Sequence, residues 1–272
     1  MAPLYIFFIV PAVLIFIFNY IPMYGITLAF KEFHPLKGIL GSPWYGFEWF
    51  RRLFSTPYFY RILRNTLVIS GYRLAFGFPA PIVLALMINE VRSLGGRRLI
   101  QSITYLPHFF SWVVLSSIIV EILSPQRGVI GYIYTLLGQE APVFLTNKRL
   151  FRPLLIVTSI WKEAGWGTII YLAAIASIDP GLYESAAIDG AGRFRQAWHI
   201  SLPSISAVIT ILFILRIGRI LNAGFDQIFN MFNPIVYEVA DIIDTYVWRV
   251  GLFELRYEFA TAVGLFKNVV GM

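Results

Sequence analysis

Residues 184–203 read Glu-Ser-Ala-Ala-Ile-Asp-Gly-Ala-Gly-Arg-Phe-Arg-Gln-Ala-Trp-His-Ile-Ser-Leu-Pro, a polar, helix-forming stretch between two long apolar runs. Asp179-Pro180 just before it opens a helix. An Asp side chain caps exposed N–H groups, and proline in the first turn forfeits no hydrogen bond. Leu182, Tyr183 and Ala186 sit on one face by their spacing. Gly190 stops the helix, since glycine tolerates the left-handed backbone that a helix end needs. A second short helix fits Arg193 to Ile200, and Pro203 is expected in the first turn of the next apolar run. The stretch therefore predicts a stiff, Ala-rich knuckle. Small Ser185, Ala186 and Ala187 let another chain dock closely, and Glu184 and Asp189 offer carboxylates to a basic partner.

Around this stretch the chain is apolar. Of 272 residues, 58% are hydrophobic and 14% charged, with a mean hydropathy of +0.70. A soluble domain carries about 25% charged residues, so this chain lacks the polar surface to sit in water and belongs in a bilayer. Aromatics at 17% suit interfacial belts and sugar-stacking walls alike. The absence of cysteine excludes disulfides and thiolate metal sites. A net charge of +7 is compatible with anionic lipid, positive-inside loops or an acidic substrate. Met1-Ala-Pro and the apolar sequence after it lack the basic start and cleavage site of a signal peptide, so the first helix is expected to be permanent.

Crossing about 30 Å of hydrocarbon takes roughly 20 apolar residues. Pro3 to Phe30 is free of charge and is the clearest span. Further spans are expected near Leu63 to Ile88, Ile103 to Leu123, Leu154 to Ile178 and Ile205 to Phe225. A sixth begins near Phe259 and reaches Met272 still apolar, too short to cross, which predicts that the native chain continues. The expected architecture is one all-α transmembrane domain over 1–272 with about six helices, the last truncated. In residues 31–60, Trp44, Phe47, Trp49, Phe50, Leu53 and Phe54 are expected to form one face of an interfacial helix. Residues 124–152 read as a turn-rich loop through Pro125, Gly128, Gly131, Gly138 and Pro142. Residues 226–257 form a second polar, aromatic segment.

Ionisable groups at bilayer depth are costly and mark pathways. Arg73, Lys162, Glu163, Arg216 and Arg219 are of this kind. Arg216 and Arg219 share a helix face, which Asn222 continues, and Trp161 and Trp166 flank Lys162 and Glu163. One reading has the arginines bonded to backbone carbonyls, paired with acids of a second subunit, or snorkelling to an interface. The other has Arg216, Arg219, Asn222, Lys162, Trp161 and Trp166 lining a cationic, aromatic path for a carboxylated sugar chain, because guanidiniums fork onto carboxylates. His34, His108 and His199 lie far apart without metal-ligand spacing. A phosphate-binding G-x-x-x-x-G-K-[ST] loop is missing, so the chain is expected not to bind ATP itself. Neither H-E-x-x-H nor G-x-S-x-G occurs, so no hydrolase signature appears.

The 184–203 stretch resembles the EAA loop of ABC importer permeases, whose signature is E-A-A, three residues, G, nine residues, then I-x-L-P. Glu184, Ala186, Gly190, Ile200, Leu202 and Pro203 fall in register, and only Ser185 departs. Over nearly the whole chain, stretches such as Tyr105-Leu-Pro-His-Phe-Phe-Ser-Trp and Asn222-Ala-Gly-Phe-Asp-Gln-Ile-Phe are similar to the oligo- and polysaccharide permeases of binding-protein-dependent sugar importers. The resemblance implies a type I importer fold in a bacterial cytoplasmic membrane. It implies a coupling loop at 179–203 that engages an ATPase through Glu184, Ser185, Ala186, Asp189, Gly190 and Ala191. It further implies a second homologous permease subunit, two ATPase subunits carrying ATP and Mg, and an extracytoplasmic solute-binding protein that meets outer segments 31–60 and 226–257. The chain itself is expected to bind no cofactor, metal or nucleic acid and to be no enzyme. Within the family, the basic interior and outer loops point to the first permease subunit of an alginate importer and an acidic cargo.

A cytoplasmic coupling loop brings the turn at 90–98 to the same side. The positive-inside count prefers the reverse orientation, a rule that weakens for long loops, and the motif takes precedence. Two other classes compete. An ion-coupled secondary transporter would use Lys162, Glu163 and Arg73 as a relay but needs inverted repeats, and none is evident. A membrane-embedded glycosyltransferase or scaffold needs an acidic cluster, for which Asp241 and Asp244 are the candidates.

Overall fold

Backbone groups in hydrocarbon must be satisfied within the chain, which favours helices. The computed structural model describes residues 2–271. Helices account for its regular structure, and a lone antiparallel bridge pairs Lys31 with Trp44. By length and composition, Phe7–Phe30 and Pro57–Asn89 are each able to cross a membrane, and two sharply bent helix pairs raise that number to four if each is one span. The longest α-helix, Lys148–Ala176, has 29 residues, about 44 Å at 1.5 Å per residue. It starts earlier than the expected span because Asn147 Oδ1 accepts from the N–H groups of Arg149 and Leu150 at 2.9 and 3.4 Å. The expected loop before it contains a helix of its own, Val129–Leu136.

Two further spans depart from the sequence expectation. The third is broken: Leu94–Phe109 and Trp112–Ile122 meet at 105°. Pro107 tightens the last turn of the first piece, and the Ser111 hydroxyl, accepting from Val114 N–H at 3.4 Å, starts the second. The fifth is shorter than expected. Its helix, Ser206–Ile217, follows a 63° bend after Arg193–Ser204, and Gly218 caps its end. Pro203 accordingly lies in the helix before the bend, not in the first turn of the span.

The chain divides into two compact units. In residues 1–63 with 242–272, buried Trp49, Leu53, Phe59 and Ile62 pack with Phe259, Ala262 and Val263. Trp49 Nε1 donates to Lys31 O at 2.9 Å, and Lys267 pairs with Asp244 at 2.5 Å. The interfacial helix is only Glu48–Ser55. Trp49 and Leu53 are buried while Phe47 and Trp44, outside the helix, are exposed, so the six aromatic and aliphatic residues do not share one face.

In residues 64–241, Pro79–Asn89 packs along Lys148–Ala176 through Ile82, Ala85, Tyr171 and Ile175, with Ile205 against them. Lipid is as apolar as leucine, so close packing rather than water exclusion holds such helices together. Small residues allow it: a Cβ on Gly167 would press into Pro81, and one on Gly165 would overlap the Thr104 backbone carbonyl. A polar knot adds to this unit. Buried Asn65 donates to the Glu238 and Asp241 carbonyls at 3.1 and 3.0 Å and accepts from Arg152 at 2.7 Å.

Candidate functional site

The 179–203 loop folds as its residue types dictate. Asp179 Oδ1 accepts from Gly181 N–H at 2.9 Å and caps Pro180–Ile188. Gly190 has φ +75°. Around it Ala191 N–H donates to Ala186 O at 2.8 Å and Gly190 N–H to Ala187 O at 3.1 Å, the paired bonds of a Schellman end. Ala186, Gly190 and Ala191 thus form the turn that ends the first helix of the knuckle. The second helix runs on from Arg193 to Ser204, beyond the expected Ile200. Tyr183 OH meets Ser201 Oγ at 2.8 Å and locks the two helices together. Arg193 donates to Glu90 O at 3.1 Å, so the loop and the 90–98 turn lie on one side of the unit, as the sequence implied. Glu184, Ser185 and Asp189 are exposed, and Ile188 and Phe194 present apolar surface beside them, 87% and 83% exposed.

The second site is built where helices end. After Ile217 the chain turns through bonds from Arg219 N–H to Arg216 O at 3.2 Å and from Asn222 N–H to Arg219 O at 2.9 Å. Arg219 and Asn222 therefore do not continue a helix face with Arg216. The turn nonetheless brings all three to one small pocket, with Ser70 and Arg73 on its other side. Arg73 donates to Gln227 Oε1, and buried Gln227 donates to Leu155 O at 2.9 Å and Thr158 Oγ1 at 2.7 Å. Gly224, at φ +87°, leaves the space that the Arg73 guanidinium fills. Arg216 also lines a larger cavity of about 240 Å³ with Phe78, Glu163, Trp166 and Leu212. Beside that cavity, His108 Nδ1 lies 3.1 Å from Glu163 Oε2, and its ring stacks on Trp166 at 4.6 Å.

Lys162 and Trp161 are elsewhere. Lys162 is 6% exposed, and its ammonium donates to the carbonyls of His108 and Phe110, both at 2.7 Å, at the break in the third span. Trp161 lines neither cavity. Sequence reasoning set His108 aside for want of metal-ligand spacing and gave Ser70 and Gln227 no role. The signal for His108 was its place beside Pro107, a helix-breaking residue in an apolar run. Nothing in the sequence pairs Ser70 or Gln227 with an arginine. Of the acidic pair considered for catalysis, Asp241 is wholly buried and Asp244 is held by Lys267.

Residues 77–233 match the family described as binding-protein-dependent transport system inner membrane component. The chain belongs to this family. Protein LplB of Bacillus subtilis (strain 168) is 48% identical over 97% of this chain and 83% of its own length. The polygalacturonan/rhamnogalacturonan transport system permease protein YteP of the same organism is 47% identical over 99% of this chain and 84% of its own. A solved bacterial ABC transporter involved in the import of the acidic polysaccharide alginate superposes with a TM-score of 0.91 at 46% identity, covering 98% of this chain and 90% of that one. A second structure, of the bacterial alginate ABC transporter in complex with alginate pentasaccharide-bound periplasmic protein, gives 0.90 at 45% identity over 98% and 89% of the two chains. The chain is therefore a permease subunit of an ABC importer with the type I fold, not an enzyme, and ATP hydrolysis belongs to a separate subunit. The ion-coupled alternative finds no support.

Proposed function

We propose that this permease moves an acidic oligosaccharide, alginate-like or pectin-like, into the cytoplasm across the bacterial cytoplasmic membrane. The observation that carries the reading is the convergence of Arg73, Arg216 and Arg219 on one pocket whose lining includes no carboxylate. Three guanidiniums gathered at one pocket repel one another, and a carboxylated cargo offsets that cost when it passes. The names of two relatives, with polygalacturonan and alginate as cargo, agree with an acidic chain.

The rest follows the family's mechanics. The whole of 1–272 serves as one permease domain beside a second, homologous permease subunit. Two ATPase subunits hold ATP and Mg, and the knuckle at Glu184, Ser185, Ala186, Asp189, Gly190 and Ala191 takes up their motion. A solute-binding protein delivers cargo at the segments 31–60 and 226–257. Arg216, Arg219, Asn222 and Trp166 face the cargo, and Lys162 supports the path from behind through the carbonyls it holds.

The test is uptake by the complete importer in proteoliposomes, with matched acidic and neutral oligosaccharides. Arg216→Ala with Arg219→Ala is expected to slow the acidic cargo selectively. Equal slowing of a neutral one rejects the acidic reading. Glu184→Lys is expected to abolish uptake of both, and uptake intact in that variant rejects the coupling assignment.

A further inference from the structure

The small polar pocket and the larger cavity share one side chain, Arg216. The pocket holds about 20 Å³, room for one water-sized group, since such a group needs roughly 10–15 Å³. Two polar atoms at it are buried and have no partner among the described residues: Ser70 Oγ and Arg73 Nε. Ser70 is 5% exposed. A buried donor left unpaired is costly, so both atoms mark a seat for a group rich in acceptors. The larger cavity, at about 240 Å³, is comparable to one pyranose ring. Phe78, Trp166 and Leu212 give it apolar walls, and Glu163 supplies an acceptor for hydroxyls.

We propose that the two cavities together form a subsite for a single uronic acid residue, with one carboxylate oxygen in the pocket against Ser70, Arg73 and Arg219, its ring in the larger cavity, and Arg216 at the join. This rests on the acidic-cargo reading and deepens it. Guanidinium forks donate two parallel bonds to a carboxylate, and the Ser70 hydroxyl adds a third donor. Glu163 repels a carboxylate from the larger cavity, so the residue enters in one direction. Arg73 is held ready by Gln227 and by its seat against Gly224, where the missing side chain leaves room for the guanidinium, which lowers the entropy lost on binding.

Equilibrium binding of trigalacturonate and of its neutral methyl ester to the detergent-purified importer, without its solute-binding protein, tests this. The wild type is expected to favour the acid about tenfold, the scale of one charge-assisted hydrogen bond. Ser70→Ala removes a hydroxyl that has no partner among the described residues, so folding is expected to be unaffected, and the preference is expected to fall severalfold. Arg73→Lys is expected to act likewise, and Trp166→Leu to weaken both forms alike. If the preference survives Ser70→Ala and Arg73→Lys but is lost in Arg216→Ala, the subsite is wrong while the acidic reading stands. If the wild type shows no preference, both fall.

Discussion

The ammonium of Lys162 donates to the Phe110 carbonyl at 2.7 Å, across the point where one helix turns through 105° into the next. Breaking a helix strands carbonyls that have no intrahelical partner. A lysine from the neighbouring helix, also bonded to His108 O and lying 5.6 Å from the Trp112 ring centroid, supplies the missing donor. The break and the lysine explain each other.

Lys162→Met is expected to destabilise the permease, because each stranded buried acceptor costs roughly 1–3 kcal/mol. The apparent unfolding temperature of the detergent-purified complex should fall, and Lys162→Arg should recover part of the loss. An unchanged unfolding temperature in Lys162→Met would refute the structural role.

Two glycines in helices should respond in opposite ways to the same added methyl. Gly165→Ala drives a Cβ into the Thr104 carbonyl and should reduce the folded yield strongly, since backbone cannot move aside cheaply. Gly71 has nothing within 4 Å of its ideal Cβ, so Gly71→Ala should stabilise by about 0.5–1 kcal/mol through helix propensity. Thermal unfolding of both variants decides the matter.

Gly190→Ala places a side chain at φ +75°, at a cost of about 1–2 kcal/mol, while Asn tolerates that conformation better. ATP hydrolysis by the reconstituted importer should lose its dependence on cargo in Gly190→Ala and keep most of it in Gly190→Asn. Equal behaviour of the two would separate the knuckle's end from coupling.

Gly224→Ala places a methyl where the Arg73 guanidinium lies. Displacing a donor to a charged group is worth about 1.5–3 kcal/mol, so KM for an acidic oligosaccharide should rise by more than tenfold in proteoliposome uptake. A neutral cargo should be affected far less.

The knuckle was legible because its signals are local. Asp179, Gly190 and the alanines between them act through bonds within a few residues, and the expected left-handed glycine is present. The ends of the third and fifth spans were not legible to the same degree. An apolar run with Pro107 inside it does not say whether the helix kinks or stops, and the donor that makes a full break tolerable comes from Lys162, more than 50 residues on. Arg216, Arg219 and Asn222 do line one pocket, but not through the geometry expected of them. Their spacing of three suggested a helix face, whereas a turn after Gly218 gathers them. Ser70 and Gln227 carry no sequence signal at all, because what they do is set by which arginine the fold brings near them.

Arg193 grips Glu90 at both the carbonyl, 3.1 Å, and the carboxylate, 3.6 Å. Glu90 closes the helix Pro79–Asn89, so the knuckle is yoked to the foot of a second membrane rod as well as fused to its own. Any thrust delivered to it is shared between both, and a linkage that pulls two rods in step is stiffer against twisting than a single crank.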